Sequence, residues 1–371
     1  MKNVLNKSGY PYLQKIYKPK IFKLSEEHDL IEVQKLKADH PSLQIFDTFA
    51  EQVKELIKLQ HPSQQLSQVE LQRYTDEYIN NDDPDYAGVW VYYPWSERFV
   101  HLLDKEDFIA VRTNRNKNKI TLEEQQTLRK KRAGVIGLSV GQSVALTMAM
   151  ERICGEIRIA DFDTLDLSNL NRIRAGIHNI NLPKVLIVAR EIAEIDPFIK
   201  VKIYPDGISE ENITDFLLDE GGLDILIDEC DSIDIKILCR LKAKAHSIPV
   251  VMDTSDRGML DIERFDLEKD RPLFHGLLAD LMHNIDLKQI NTMSRLEKIP
   301  LAKAIAGGEN LSDRAKTSMK EIGKTITTWP QLASSVVMGG AVCTDICRRI
   351  LLDQLHISGR YYIDIDKLIA D

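Results

Sequence analysis

Between Ala133 and Asp253 the chain alternates short apolar runs with amphipathic segments, and no other feature narrows its fold as much. Ala133 to Gly137, Glu156 to Asp161, Phe198 to Tyr204, Asp224 to Asp228 and Val250 to Asp253 read as strands. Val140 to Ile153, Leu182 to Ile195, Glu210 to Asp219 and Ile233 to His246 read as helices, with Pro183 suited to a first turn. Strands joined through helices run parallel, so the expected fold class is α/β, a doubly wound and mostly parallel sheet with helices on both faces. Such sheets bind ligands outside the C-terminal ends of their strands. The informative loops are therefore those near residues 137, 161 and 228.

The flanks read differently. In the first hundred residues, helices are expected over Glu26 to Lys37 (capped by Ser25), from Asp47 to Gln60, and over Gln68 to Ile79. Phe49, Val53, Ile57 and Leu59 give the second its apolar stripe. A turn follows over 80 to 85, then a hairpin of Val89 to Tyr93 and Arg98 to Leu103 around Pro94-Trp95-Ser96. Thr121 and Glu124 have capping-box spacing and open a helix to about Arg132. Beyond the core, Leu332 to Leu355 reads as a buried or interfacial helix and Gly359 to Asp366 as a closing strand. The expected divisions are 1–110, mostly helical with a hairpin, 111–270, the core, and 271–371, helical with the closing strand.

Composition excludes more than it assigns. With 43% hydrophobic and 29% charged residues, the 371-residue chain has the make-up of a globular protein. The net charge of −8 argues against broad nucleic-acid or anionic-membrane binding. A basic run over residues 112 to 132 reads first as a solvated face. No stretch approaches the roughly 18 apolar residues of a membrane span, and Met1 to Tyr10 lacks the apolar centre of a signal peptide. Five cysteines, mostly inside apolar runs and without a C-x-x-C pair, fit reduced thiols and a cytoplasmic location. Cys343 and Cys347, four apart on one helix face, read as core rather than as metal ligands.

Three loops carry candidate chemistry. Gly137-Leu138-Ser139-Val140-Gly141 joins the first strand to its helix, where small residues admit phosphate to backbone amides at a helix N-terminus. G-x-S-x-G is also the spelling of a nucleophile elbow, with Ser139 as nucleophile and His246 or His275 as partner. The acidic residues after the next strand favour a nucleotide instead. Asp161 and Asp163 flank Phe162 there, and one such carboxylate can take both ribose hydroxyls. Asn169, Asn171 and Arg172 follow in a polar turn, where a guanidinium can hold phosphate oxygens with two bonds. Lys184 opens a helix, an unfavourable place for an ammonium unless an anion lies between them. Asp228, Glu229 and Asp231 crowd the end of another strand; they form either a solvated acidic loop or a seat for Mg²⁺. No G-K-[ST] phosphate loop is present.

Taken together, G-L-S-V-G-Q-S (137–143), D-F-D-T-L-D-L-S-N-L-N-R (161–172), P-K-V (183–185), D-P (196–197) and D-E-C-D-S (228–232) resemble the ThiF/MoeB/HesA superfamily, prokaryotic relatives of ubiquitin-activating enzymes. Upstream, R-T-N-R-N (112–116) is similar to a segment that precedes the core in that family. W-V-Y-Y-P-W-S (90–96) resembles a subfamily whose core can be fused to a nitroreductase-like domain. The resemblance implies a Rossmann-like fold that binds ATP and Mg²⁺ and transfers AMP to a carboxylate. The implied acceptor is the C-terminus of a ubiquitin-like sulfur carrier, a peptide or a small acid. It implies Asp161 at the ribose, Arg172 and Lys184 at the phosphates, Asp231 at the magnesium, and Arg115 as an arginine finger supplied across a homodimer. Gly137, Ser139, Gly141, Asp163, Asn169 and Asn171 would line the nucleotide.

The chain departs from the family at Ser139 and Val140, where glycines are usual, and at Ser232, where asparagine is usual. The zinc-binding C-x-x-C pairs of many members are missing, and no loop thiol between 256 and 361 offers a thioester relay. Two other readings compete. An NAD- or FAD-dependent oxidoreductase would leave Arg172, Lys184 and Asp231 without a task. A catalytically silent nucleotide-binding regulator would explain the altered glycine loop.

Overall fold

The computed structural model describes residues 15–79, 83–281 and 287–370. Residues 1 to 10 and the start of the turn at 80 to 85 lie outside them. The chain divides into two compact units, the first ending at Leu122 and the second beginning at Glu123.

The first unit contains β1 (Lys20–Phe22), α1 (Glu27–Asp39), β2 (Gln44–Asp47), α2 (Phe49–Gln60), α3 (Gln68–Ile79), β3 (Val89–Tyr93), β4 (Arg98–Leu102) and α4 (Lys105–Arg112). The expected hairpin is present as β3–β4, and it is the centre of a four-stranded sheet in the order β1-β3-β4-β2. Two strands therefore join it that the sequence pattern did not reveal. Ser25 does not cap α1, which starts after Glu26. The α2 stripe of Phe49, Val53 and Ile57 is buried as expected. His101 of β4 is fully buried, stacked 4.2 Å from both Phe49 and Trp90, and bonded to Asp47 (3.1 Å) and the Ala87 carbonyl (2.8 Å).

The division falls at the first residue of α5 (Leu122–Leu128), a helix shorter than expected because β5 already starts at Arg132. There follow β5 (Arg132–Ile136), α6 (Gly141–Glu151), β6 (Glu156–Ala160), α7 (Lys184–Ile195), β7 (Lys200–Tyr204) and α8 (Ile213–Leu218). Next come β8 (Ile225–Asp228), α9 (Ile233–Ala245), β9 (Val250–Thr254) and β10 (Met259–Glu263). α10 (Leu287–Thr292), α11 (Arg295–Ile305), α12 (Asp313–Glu321), α13 (Ala333–Leu351), β11 (Gly359–Tyr362) and α14 (Ile365–Leu368) complete it. The seven strands run in the order β11-β10-β9-β8-β5-β6-β7. The five from β7 to β9 are parallel, and β10 and β11 add antiparallel pairs at one edge. Chain order reverses between β5 and β8, the switch point at which such sheets form a crevice.

Two features fix the frame around that crevice. α13 packs on α6 and β9, and glycines make the fit possible. A Cβ at Gly340 would lie 2.2 Å from Ser143 Oγ, and one at Gly339 would lie 2.2 Å from Asp253 Oδ2. Below the crevice, Arg240 of α9 is fully buried between Asp228 of β8 and Glu263 of β10. Burial alone would raise the Asp228 pKa, yet Lys236 and Arg240 outweigh it and hold the carboxyl at about 2.

Candidate active site

The β5–α6 loop is shaped by two glycines. Gly137 has φ +85, and a Cβ there would come within 2.6 Å of the Glu229 and Cys230 backbones. Gly141 opens α6, where a Cβ would lie 2.7 Å from Val135 Cγ1, so its absence lets the helix approach the strand. The N-terminus of α6 carries no side-chain cap; the Gly141 and Ser143 amides donate to the Gly137 and Val140 carbonyls, and the helix dipole favours an anion there.

Asp161 stitches this loop to the end of β6. Its Oδ2 accepts from the Leu138 amide at 2.6 Å and its Oδ1 from the Asp163 amide at 2.8 Å. Each oxygen keeps a second lone pair for a ligand hydroxyl. Burial raises its pKa, against the opposing amide bonds and the charge of Lys184. Lys184, buried at the start of α7, pairs with Asp163 Oδ2 at 2.8 Å, so its charge is already balanced in part.

Arg172 shows what Ser139 does. The Arg172 Nε and Nη2 both donate to Ser139 Oγ, at 3.1 and 2.8 Å, and Nη1 donates to Asn171 Oδ1 at 2.9 Å. Ser139 Oγ thus receives a cation rather than facing a base. His275 is bound to Asp261 and Arg271, and His246 caps the far end of α9, so no elbow triad forms. Burial lowers the Arg172 pKa, and the nearby Asp231 carboxylate counters it. Asp231 itself is exposed after β8. The other two acids of that loop turn inward. Asp228 joins the pairing with Arg240, and Glu229 is buried with Oε1 accepting from the Asp253 amide at 3.0 Å.

Asn169 closes a capping box on Asp166, and Asn171 donates to the Gln331 carbonyl at 2.8 Å. Arg115 is exposed on a single 3-10 turn (Asn114–Asn116) of the first unit, whereas the other named residues lie in the second.

Pattern reading missed two features. Phe162 is 73% exposed between the two aspartates, where a buried strand end would hide an aromatic ring. A cleft of about 910 Å³ opens beside the Asn171–Gln331 contact, lined in part by Arg257, Ser312, Trp329, Gln331 and Ser335. An exposed Phe between acids was a legible signal; the cleft is not, because its walls come from distant segments. Among the described residues no helix is long and apolar enough to cross a membrane.

Comparison with known proteins finds relatives of the chain. The ThiF family model matches residues 113–357. A Mycobacterium tuberculosis (strain CDC 1551 / Oshkosh) protein described as "Uncharacterized protein MT1398" is 40% identical over 343 residues, or 92% of this chain. The chain spans 44% of the length of that relative. The tRNA threonylcarbamoyladenosine dehydratase of Bacillus subtilis (strain 168) is 25% identical over 244 residues, covering 64% of this chain and 95% of that protein. Among solved structures, E. coli tRNA N6-threonylcarbamoyladenosine dehydratase, TcdA, gives a TM-score of 0.47 at 19% identity, over 66% of this chain and 95% of that one.

Proposed function

The chain belongs to the ThiF family, and on that premise we propose that it uses Mg-ATP to adenylate a carboxylate. The observation that carries this reading is Arg172, held by Ser139 at the mouth of the β5–α6 loop and facing the Asp231 charge. A guanidinium fixed there suits phosphate oxygens, and Lys184 supplies a second cation. In the proposed step, an acceptor carboxylate oxygen attacks the α-phosphorus. The bond from that phosphorus to the bridging oxygen breaks, and pyrophosphate leaves with the electron pair. Two anions must approach, so the chain's contribution is charge neutralisation and positioning. Asp161 would take the ribose hydroxyls on its free lone pairs, and Phe162 offers the base a flat apolar face.

The donor set fits Mg²⁺, which takes one or two carboxylates alongside phosphate oxygens and water. Asp231 presents one hard, exposed carboxylate beside the cation that would hold those phosphates. The bound ion would neutralise charge on the leaving pyrophosphate. The acceptor would enter by the 910 Å³ cleft. Its serines, arginine and tryptophan suit a peptide terminus, such as that of a ubiquitin-like sulfur carrier, or a small acid. The name of the B. subtilis relative brings a tRNA-borne acceptor into view, but the net charge of −8 weighs against it. Arg115 would complete the site from the partner of a cytoplasmic homodimer.

Carboxylate-dependent ATP–pyrophosphate exchange tests the reading. Arg172→Ala and Asp231→Ala are each expected to lower the exchange rate by about 10²–10³-fold with unchanged circular dichroism. Mg-ATP should raise the melting temperature, and NAD(H) should not. Stabilisation by NAD(H) alone, or exchange indifferent to both substitutions, would refute it.

A further inference from the structure

Directly beneath the loop that holds the proposed nucleotide lies a group of side chains that the reaction does not use. Glu229 follows β8, Asp253 lies in β9 and Cys343 in α13, and all three are buried. One donor atom of each lies within 4.8 Å of the other two. Asp253 is 6% exposed, and among the described residues its Oδ2 has no hydrogen-bond partner. Its Oδ1 faces Cys343 Sγ at 3.6 Å. Glu229 Oε1 accepts the Asp253 amide at 3.0 Å, and the Glu229 and Asp253 side chains also hydrogen-bond one another. The nearest ammonium, Lys236, is engaged by the Asp228 carbonyl (3.2 Å) and carboxylate (3.3 Å).

Two buried carboxylates this close repel one another unless a proton or a cation lies between them. The thiol decides which cation class fits. Two oxygens and one sulfur, at separations that a tetrahedral centre can draw together, suit a borderline ion such as Zn²⁺ and not Mg²⁺ or Ca²⁺. Charge points the same way: Glu229, Asp253 and a Cys343 thiolate bring three negative charges, of which a dication offsets two, while Lys236 is already held by Asp228. The free Asp253 Oδ2 allows that carboxylate to bind through both oxygens. Gly339 belongs to the same design, because any side chain there would displace the Asp253 carboxylate.

We propose that Glu229, Asp253 and Cys343 form a structural Zn²⁺ site that ties the ends of β8 and β9 to α13. On binding, the Cys343 S–H proton and any proton shared by the two acids pass to solvent, and no redox change occurs. The site stands apart from the adenylation reading, which gives these three side chains no role.

Metal uptake by the full chain tests it. After chelation, the protein is titrated with Co²⁺ alone and then with Zn²⁺. One Co²⁺ per chain is expected, with an intense near-ultraviolet thiolate-to-cobalt absorption that Zn²⁺ abolishes. Asp253→Asn and Cys343→Ser should weaken uptake by about tenfold or more, since even losing a supporting partner costs that much. Asp231→Asn should leave the absorption intact. No uptake by the wild-type chain, or uptake without the thiolate absorption, overturns the proposal whether or not the variants fold. So does an absorption that survives Cys343→Ser or disappears with Asp231→Asn.

Discussion

At Ser139 the loop gives up the freedom of glycine and gains an oxygen that receives two donors from Arg172. The departure from the family's spelling therefore has a local task, because it holds the guanidinium in place. Gly137 allows no such exchange. Its positive φ and the 2.6 Å approach to the Glu229 and Cys230 backbones leave no room for a methyl group. Gly137→Ala should cost about 1–3 kcal/mol, read as a lower denaturant midpoint, and an unchanged midpoint would show that the loop yields. Asp161, Arg172 and Lys184 stood out as candidates because each lies at the end of a strand, in a polar turn or at the start of a helix, although their partners Leu138, Ser139 and Asp163 come from other segments. The arrangement of Glu229, Asp253 and Cys343 did not, since sequence spacing says nothing of residues that only a folded sheet and helix bring together. The acids after β8 divide for the same reason. Spacing grouped Asp228, Glu229 and Asp231, while pleat and turn send the first two inward and leave the third exposed.

Among the elements, the parallel strands and their helices were readable because β5, β8 and β9 are mostly apolar and buried, while β6 and β7 alternate charged with apolar residues. β10 escaped the same reading. Its sequence, M-L-D-I-E, places two acids at fully buried positions, where Arg240 and Arg360 neutralise them and His275 hydrogen-bonds Asp261 from other segments. Periodicity cannot register a charge whose partner lies elsewhere in the chain. β1 and β2 escaped because they are short edge strands, and all four β2 residues are exposed. The α6–α7 contact holds a half-buried acid. Glu191 bonds Gln142 Nε2 at 2.9 Å, and burial pushes its pKa up to about 7 against the opposing charge of Arg174. The fold thus favours the neutral form. That contribution is complete below the ordinary glutamate value of 4.5 and is lost as pH rises through about 7. Glu191→Gln should flatten the fall in unfolding free energy between roughly pH 5 and pH 8; an unchanged slope in denaturation at the two pH values would assign it to other groups.

For the whole molecule, the proposal that Arg115 acts from a partner subunit makes a prediction of its own. Arg115→Ala and Asp231→Ala chains are each expected to be inactive in exchange. Mixed at equal concentration after dissociation, they should recover about a quarter of wild-type activity, because half the dimers are mixed and each of those holds one intact site. No recovery would place Arg115 in its own subunit's site or outside catalysis.

The antiparallel edge of the large sheet adds a constraint in time. β10 receives its outer partner only from β11, and Arg264 and Ser358, 94 positions apart, hydrogen-bond across that join. During synthesis the nucleotide half of the sheet can assemble while β10 still shows an unpaired row of amides and carbonyls. Such an edge is a template for other chains. The residues from Gly359 to Tyr362 thus serve as a late seal, and a ribosome that stalls before them leaves a product with the site largely built and an adhesive flank.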